Sequence, residues 1–357
     1  MKQPDFTIVT PSFKQLDYLG CCIASVADQG TGKRERGTED GGQGGSEGMC
    51  ENRKGALLRS VSAGSQSYAG LAEQLSVEHI VQDAGSPGIE EFAKKMGEQL
   101  LKQYGGEQVS NPETFELLHI RTAHGYTLRI FKEKDSGMYD AVNRGLKKGT
   151  GTICAYLNCD EQYLVGALQQ IRRLFAVEAE TEVAFGGVAI VSPNGNLIAR
   201  RMACHLSYSH VMTCHLPNFT AAMFFRRELL IKRAAWFDVA YRDLADAVWV
   251  LARLKEGVKI ERASVITTSF TDTGANMNLS PNARREAREL RESAPKWIKA
   301  LKPWWKFTHR SRKFLEGQYW LTAMKYAIYL GKVTGERTEF KATMANPLWW
   351  DRLTMNK

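Results

Sequence analysis

Acidic side chains follow two β-rich segments of this 357-residue sequence, at positions where they could bind a cation or a polar ligand. Asp83 follows the apolar pair Ile80-Val81, and the pair Asp160-Glu161 follows Tyr156-Leu157-Asn158-Cys159. A carboxylate at the end of a strand is unfavourable unless something binds it, because it is desolvated and repels other anions. Mg²⁺ and Mn²⁺ prefer carboxylate and phosphate oxygens, so the pair is a candidate metal site.

Both acidic positions also have a structural interpretation. Asp83 could cap the turn that follows it. Asp160 and Glu161 could be the N-cap and first-turn residues of the next helix, where the backbone amides and the helix dipole favour a carboxylate. The residues alone leave these alternatives open.

The elements that must position these side chains are predicted by hydrophobic periodicity. The first strand, Phe6–Thr10, is stopped by Pro11-Ser12 and followed by a helix with Leu16, Leu19, Ile23 and Val26 on one face. Further strands are predicted at Val77–Asp83, Leu117–Ile120, Thr127–Phe131, Ile153–Leu157 and Val183–Ile190, and helices at 89–104, 138–148, 165–175, 243–256 and Tyr319–Leu330. The turn at 192–196 predicts a hairpin. The alternation predicts an α/β fold with a doubly wound, mostly parallel sheet, in which ligands bind beyond the carboxyl ends of the strands.

Composition excludes a wholly disordered or fibrous protein, since 43% of residues are apolar and 24% are charged. The seven cysteines form no C-x-x-C pair, which favours reduced thiols in the cytosol. The N-terminus lacks the apolar core of a signal peptide. The sequence contains no run of about 18 apolar residues, so no membrane-spanning helix is expected.

Three histidines recur every five residues, at positions 205, 210 and 215. This interval does not bring them together on a helix or a strand, so a metal site there is not expected.

Residues 30–75 differ from the rest of the chain. They hold 11 of its 31 glycines and few large apolar side chains, too few to offset the entropy of ordering. This composition predicts a flexible insertion. Its Gly32-Lys33 pair lacks the other residues of a phosphate-binding loop.

The net charge of +9 is concentrated near the C-terminus. Between Pro281 and Lys313 there are 11 Lys/Arg and 3 Glu, with Trp297, Trp304, Trp305 and Phe307 interleaved. A solvated helical face is the simplest interpretation. A membrane-surface element is the second, because cations attract anionic lipid and Trp settles at the interface. Nucleic-acid binding is the least favoured, because no recognised module accompanies the charge.

Five segments, taken in order, resemble the motifs of family 2 glycosyltransferases with the GT-A fold. Lys134–Gly145 (KDSGMYDAVNRG) resembles the block D-x-G-x-Y-D-A-x-N-K-G, and Tyr156–Glu161 (YLNCDE) resembles the metal motif W-L-N-S-D-D. The other three are Thr7–Phe13, His79–Ser86 and Trp236–Asp246. Together they cover about residues 5–275. Each motif alone is a weak signal, whereas five in the expected order are strong.

The resemblance implies a GT-A domain over residues 1–280, interrupted by the insertion 30–75 and followed by a basic, aromatic helical extension over 281–357. It implies an inverting, metal-dependent glycosyltransferase that takes a sugar from a nucleotide-sugar, with a UDP-sugar as the expected donor. The expected acceptor is a hydroxyl of a glycan or a lipid-linked molecule, in cell-surface polysaccharide synthesis.

The same resemblance assigns roles to the acidic loops. Asp160 is the first ligand for Mn²⁺ or Mg²⁺, supported by Asn158 or Glu161. Glu161 departs from the family's usual pair of aspartates. Asp83 would hydrogen-bond the nucleobase, and Pro11 would shape the loop against it.

Asp135, Asp140, Asn143 and Arg144 would lie near the donor sugar and diphosphate. Asp140 and Asn143 fall on one helix face, and a polar face or a helix cap is their alternative interpretation. Arg144 replaces the lysine that is usual in the family and keeps its charge.

Asp246 is the expected general base, with Asp243 one helical turn earlier as its rival. Either could instead be a carboxylate stabilised at a helix N-terminus. A rival hypothesis for the whole chain is a non-catalytic GT-A-like domain that tethers through its basic segment, and a nucleotidyltransferase is less favoured because its signature is absent.

Overall fold

The computed structural model describes residues 3–30, 74–109, 113–274, 280–331 and 335–348. The predicted insertion at 30–75 therefore lies almost wholly outside the described residues, with only its two ends included.

One large sheet organises the described part of the chain. Its strands are β1 (Phe6–Ser12), β2 (Val77–Asp83), β3 (Gly106–Gln108), β4 (Glu116–Thr122), β5 (Tyr126–Lys132), β6 (Ile153–Tyr156), β7 (Glu161–Tyr163), β8 (Val183–Val191), β9 (Leu197–Arg201), β10 (Met223–Arg226) and β11 (Ile260–Thr271). Their order is β3-β4-β5-β2-β1-β6-β10-β8-β11-β7, with β9 beside β8. Strands β1, β2, β3, β5, β6, β8 and β11 run in one direction, which confirms the prediction of a mostly parallel sheet.

Helices flank this sheet. They are α1 (Leu16–Ala27), α2 (Ile89–Tyr104), α3 (Met138–Lys148), α4 (Ala167–Val177), α5 (Tyr208–Thr213), α6 (Glu228–Arg233), α7 (Ala245–Lys255), α8 (Pro281–Glu292), α9 (Lys296–Ala300) and α10 (Lys302–Leu315). Leu19, Ile23 and Val26 of the face predicted for α1 are buried in one apolar cluster with residues of β1 and β2, and the half-buried Leu16 packs against it. A period of 3.6 residues places these side chains on one side of the helix.

The central strands align their carboxyl ends. Ser12 of β1 pairs in register with Asp83 of β2, and Val9 of β1 pairs with Tyr156 of β6. All seven residues of β1 and of β2 are buried. The loops that follow β1, β2 and β6 therefore emerge at the same edge of the sheet, as expected of a doubly wound fold.

The C-terminal region differs from the prediction in one respect. Tyr319–Leu330 was predicted to be helical, and this is wrong: Thr322–Ile328 forms β12, which pairs antiparallel with β13 (Thr338–Ala345). Tyr326 and Ile328 of β12 pack with Val191 of the large sheet in an apolar cluster. An alternating pattern inside an alanine-rich stretch was misinterpreted as helical, since tertiary packing decides between the two periods.

Within the described part of the chain, no helix is both long and apolar enough to cross a bilayer. The described cysteines, Cys21, Cys22, Cys154, Cys159, Cys204 and Cys214, form no disulfide.

The two ends that border residues 31–74 lie together. A methyl group placed on Gly30 would stand 3.4 Å from the carbonyl oxygen of Leu75. We expect a variant that joins Gly30 to Leu75 through a short glycine linker to fold and to keep the transfer activity that the resemblance implies. The two residues already lie close together, and a long loop adds little closure entropy, so the loop can be shortened without moving the core. Circular dichroism, thermal melting and donor turnover measure this. An insoluble or inactive deletion variant would mean that the segment packs on the core or takes part in function.

Candidate active site

A cleft of about 1200 Å³ opens at the carboxyl ends of β1 and β6. The N-termini of α3 and α7 and one side of α8 complete its walls. Six of the residues predicted for the site line it: Pro11, Asp135, Asn158, Asp160, Glu161 and Asp246. The remaining four, Asp83, Asp140, Asn143 and Arg144, are not among its lining residues.

Glu161 is buried at the floor of the cleft and is held by Asn158. The Asn158 backbone N–H donates to one carboxylate oxygen of Glu161 at 2.7 Å, and the Asn158 side-chain amide donates to the other at 3.2 Å. Burial, with a further contribution from the Asp160 charge, raises the pKa of the Glu161 carboxyl above its ordinary value. Glu161 lies in the short strand β7, and the next helix begins only at Ala167. The alternative of an N-cap pair for that helix is therefore wrong.

Asp160 reaches the cleft from a backbone that the sheet holds in place. The Thr271 N–H at the end of β11 donates to the Asp160 carbonyl oxygen at 3.0 Å. Among the described residues, no three His, Cys, Asp or Glu side chains converge as a metal cage. One or two carboxylates beside room for a diphosphate still fit Mg²⁺ or Mn²⁺, because such ions take their other ligands from phosphate and water. The donors present thus suit a cation that arrives with a phosphorylated substrate.

Asp246 lies in the first turn of α7 and lines the same cleft. One carboxylate oxygen accepts from the Thr220 hydroxyl at 3.1 Å, and the other accepts from the Ala247 N–H at 2.7 Å. Burial raises the pKa of the Asp246 carboxyl above its ordinary value. A raised pKa makes a carboxylate a stronger base, which suits the removal of a proton from a hydroxyl.

An aromatic cluster beneath the cleft sets the position of α7. The ring of Phe237 stacks on Tyr139 of α3 at 5.6 Å and on Trp249 of α7 at 5.6 Å. The rings of Tyr156 and Phe237 meet edge to face at 5.5 Å. Side chains from α3, β6 and α7 thus pack around one ring. This packing limits how far the α7 N-terminus and its carboxylate can move relative to the sheet.

Asp243 also borders the cleft, but its carboxylate is engaged in hydrogen bonds with residues at the start of α8. One oxygen accepts from the Ser280 hydroxyl at 2.6 Å and from the Asn282 amide at 2.9 Å. The buried Glu286 of α8 accepts from three successive N–H groups, those of Arg242, Asp243 and Leu244, at 2.9–3.0 Å. Asp243 therefore joins α8 to the N-terminus of α7, and the Asp246 carboxylate has no contact of this kind with α8.

Asp83 has the contacts of a loop cap. Its carboxylate accepts from the N–H groups of Gly85 and Ser86 at 2.9 and 2.6 Å and from the Ser86 hydroxyl at 2.7 Å. The Ser86 hydroxyl in turn accepts from the Lys14 N–H at 2.7 Å. Asp83 therefore ties the loop after β2 to the loop after β1, whose Phe13 lines the cleft. Direct contact between Asp83 and a nucleobase stays a prediction.

The polar face of α3 makes mainly structural contacts. Asp140 accepts from the Ser136 N–H at 2.9 Å and from Arg144 at 3.1 Å. Arg144 also pairs with Glu133.

Asn143 is buried. It exchanges two hydrogen bonds with the Phe237 backbone, at 2.8 and 3.0 Å. Asp140, Asn143 and Arg144 thus fix α3 and the segment before α7, and their contact with a donor stays a prediction.

Asp135 lines the cleft at the start of α3. It accepts from the Gly137 N–H at 3.0 Å, and burial raises the pKa of its carboxyl. Gly137 has φ 141°, which a side chain would disfavour.

The histidine prediction needs a correction. His210 and His215 were expected to lie apart, yet their rings are 5.3 Å apart, and His309 of α10 stacks on His210 at 4.0 Å. Burial lowers the pKa of His215 to about 4 and that of His309 to about 3. The interval of five residues fails as a guide because α5 ends at Thr213, between His210 and His215, so the helical period does not apply to both.

Sequence reasoning missed Thr220, Tyr139 and the α8 residues that close the cleft. The sequence near a Thr or a Tyr does not indicate which group its hydroxyl contacts, because that group lies far along the chain. The Thr220–Asp246 contact spans 26 residues, and the Leu244–Glu286 contact spans 42.

The chain is 25% identical over 181 residues to a PGL/p-HBAD biosynthesis glycosyltransferase of Mycobacterium bovis, and equally to one of Mycobacterium tuberculosis. The match covers 47% of this chain and 64% of those proteins, so less than two thirds of their length is represented. No protein-family model matches the chain.

Two solved structures are similar in shape. Staphylococcus aureus TarS 1–349 in complex with UDP-GlcNAc has a TM-score of 0.47 and 12% identity, over 87% of this chain and 75% of that one. The mannosyltransferase PcManGT from Pyrobaculum calidifontis, in complex with GDP-Man and Mn²⁺, has a TM-score of 0.43 and 14% identity, over 88% and 76%.

Proposed function

We propose that this chain is an inverting, metal-dependent glycosyltransferase of the family 2, GT-A type, which moves a sugar from a nucleotide-sugar to a hydroxyl acceptor. The observation that carries the proposal is the convergence of Asp160, Glu161 and Asp246 on one cleft at the carboxyl ends of β1 and β6. The names of the mycobacterial relatives, all glycosyltransferases, support the same activity. We propose a UDP-sugar as the donor and cell-surface polysaccharide synthesis as the setting.

In this proposal Asp246 is the general base. The acceptor hydroxyl attacks the anomeric carbon, its proton passes to the Asp246 carboxylate, and the bond from that carbon to the diphosphate oxygen breaks. A single displacement inverts the configuration at that carbon. The contacts of Asp246 with Thr220 and with the Ala247 N–H hold the carboxylate in one orientation, which favours a productive angle of attack.

Asp160 would hold Mn²⁺ or Mg²⁺, with Asn158 keeping Glu161 oriented beside it. A divalent cation neutralises charge on the departing diphosphate when bound. The buried Glu161 carboxyl, whose pKa is raised, gains a favourable partner for its charged form when a cation is near.

The loop pair formed by Phe13–Lys14 and Gly85–Ser86 would hold the nucleobase end of the donor. Pro11 and Phe13 line that part of the cleft, and Asp83 keeps the two loops together. Asp135 would face the sugar or diphosphate from the start of α3.

The test is a screen of nucleotide-sugars for metal-dependent hydrolysis or transfer, preceded by thermal melting with nucleotides. We expect UDP with Mn²⁺ to raise the melting temperature, and a chelator to remove the effect, because a ligand that binds only the folded state stabilises it. If no nucleotide raises the melting temperature and no sugar donor is consumed, the rival of a non-catalytic tethering domain replaces this proposal.

A further inference from the structure

Helix α10 is oriented with charged and polar side chains toward the protein. Lys313 is only 7% exposed, and its ammonium group lies 5.2 Å from the centre of the Tyr319 ring. His309 stacks on His210. Burial lowers the pKa of both Lys313 and His309. The inner face of α10 is thus unusually polar for a helix packed on a protein core.

The outer face of the same helix is apolar. Trp304, Phe307, Phe314 and Leu315 are between 54% and 80% exposed. Spacings of three and seven residues place the first three on one side of the helix. The rings of Trp304 and Phe307 lie 5.8 Å apart. Scattered apolar residues on a surface are ordinary, but several large apolar side chains grouped on one side of an exposed helix indicate a binding surface.

Helix α9, which comes just before α10, adds exposed apolar side chains. Trp297 and Leu301 are also exposed, while Ile298 is buried and its carbonyl oxygen accepts from the Trp305 indole N–H at 3.1 Å. The two helices are thereby held as one unit. We call it the α9–α10 surface, formed by Trp297, Leu301, Trp304, Phe307, Phe314 and Leu315.

The α9–α10 segment is cationic, and Arg310 and Arg312 flank the apolar side of α10. Residues 296–315 contain seven Lys/Arg and no acidic residue. Lys302, Lys306, Arg310 and Arg312 form no ion pair with any described residue, although other Lys and Arg side chains of the chain are paired. An apolar surface with unpaired cations beside it requires an occupant that is apolar inside and negative at its surface.

We propose that the α9–α10 surface lies on an anionic lipid bilayer. Trp and Phe side chains would enter the boundary between headgroups and acyl chains, and the flanking Arg310 and Arg312 would lie at the anionic headgroups. A second copy of this chain is a poor occupant, because two such surfaces would bring cations against cations without an acidic residue between them.

The location of this surface bears on the acceptor. Arg291 of α8 lines the main cleft and also a small depression that includes Lys299 and Lys302 of the two helices. Helices α9 and α10 therefore lie near the α8 wall of the cleft. If the proposed glycosyltransferase function is correct, a docked protein would meet its acceptor at the bilayer, which favours a lipid-linked hydroxyl.

Vesicle binding by the full chain tests the proposal. We expect co-sedimentation with vesicles of phosphatidylcholine mixed with phosphatidylglycerol, and much weaker binding to phosphatidylcholine alone. Reversing the two flanking charges, Arg310→Glu and Arg312→Glu, should weaken binding to the anionic vesicles roughly 30-fold or more, since each cation near such a surface contributes about 1 kcal/mol. Replacing Trp304, Phe307 and Phe314 with serine should also abolish it.

The matched control replaces Phe115 and Ile231 with serine, since these are equally exposed apolar residues elsewhere. This control should bind vesicles like the native protein. Equal binding to neutral and anionic vesicles, or no binding to either, would overturn the proposal. So would a dimer that the serine variant converts to a monomer, because the surface would then be an interface between copies. Stabilisation by UDP and Mn²⁺, measured on the same variants without lipid, tests the proposed function separately.

Discussion

The Asp160→Ala variant is expected to lose metal-dependent binding of the donor while keeping its fold. Asp160 is the carboxylate that we assign to the cation, and a diphosphate depends on that cation to neutralise its charge. Removing even an outer partner of a metal ligand costs about 10- to 100-fold in metal affinity, so loss of the ligand itself should exceed about 100-fold. The fold should survive because the contact with Thr271 uses the Asp160 carbonyl oxygen, which alanine retains.

Calorimetric titration of UDP in the presence and absence of Mn²⁺ measures this effect. Asp238→Ala is the matched control, since Asp238 is exposed and does not line the cleft. Its carboxylate accepts from the Ala240 N–H, and its carbonyl oxygen, which alanine retains, accepts from the Tyr241 N–H. Unchanged affinity for UDP and Mn²⁺ in the Asp160→Ala variant, together with a normal melting temperature, would remove the metal assignment.

The Asp246→Asn variant is expected to bind the donor normally and to lose transfer. A general base acts on the acceptor proton only as the new bond forms, so its removal lowers kcat more than donor affinity. General-base contributions are typically ~10²–10⁴-fold, and the decrease in kcat should be of that order. The amide is nearly isosteric: its oxygen can accept from the Ala247 N–H while its NH2 group donates to the Thr220 hydroxyl, so packing stays nearly constant. In the native protein, transfer should fall as the pH decreases through the raised pKa of this carboxyl, because its protonated form cannot accept the proton.

Asp243→Asn is the control for this experiment, since both aspartates lie beside the start of α7. Its amide oxygen can still accept from Ser280 or Asn282, so we expect modest loss of stability and near-normal turnover. If Asp243→Asn were inactive and Asp246→Asn active, the assignment of the base would be wrong by one helical turn. If both variants were active, neither carboxylate would be the base and the inverting mechanism would lose its main support.

The sequence by itself determined the central strands, two of the helices beside them and the positions of the loops after β1, β2 and β6. The predicted helices at 89–104 and 138–148 coincide with α2 and α3, because their amphipathic period is carried by residues three and four apart. The strands at β1, β2 and β6 were predicted from their apolar runs. The carboxyl ends of parallel strands lie at the same edge of a sheet. The sequence therefore placed the loops that carry Pro11, Asn158 and Asp160 near each other before any contact was known.

The tertiary structure decided which of the predicted residues line the cleft and which hold it together. Asn143 meets the Phe237 backbone across 94 residues. The Glu286 carboxylate accepts from the backbone N–H groups just before α7, which lie more than 40 residues earlier in the chain. Such contacts produce no periodic pattern in the sequence around either residue, because they are stabilised by burial and hydrogen bonding between distant segments.

The same reason applies to α10. Its sequence shows cations and aromatic residues together, but the orientation of the helix is set by its packing on α5. Only that packing shows that Lys313 and His309 face the protein while Trp304, Phe307 and Phe314 face outward.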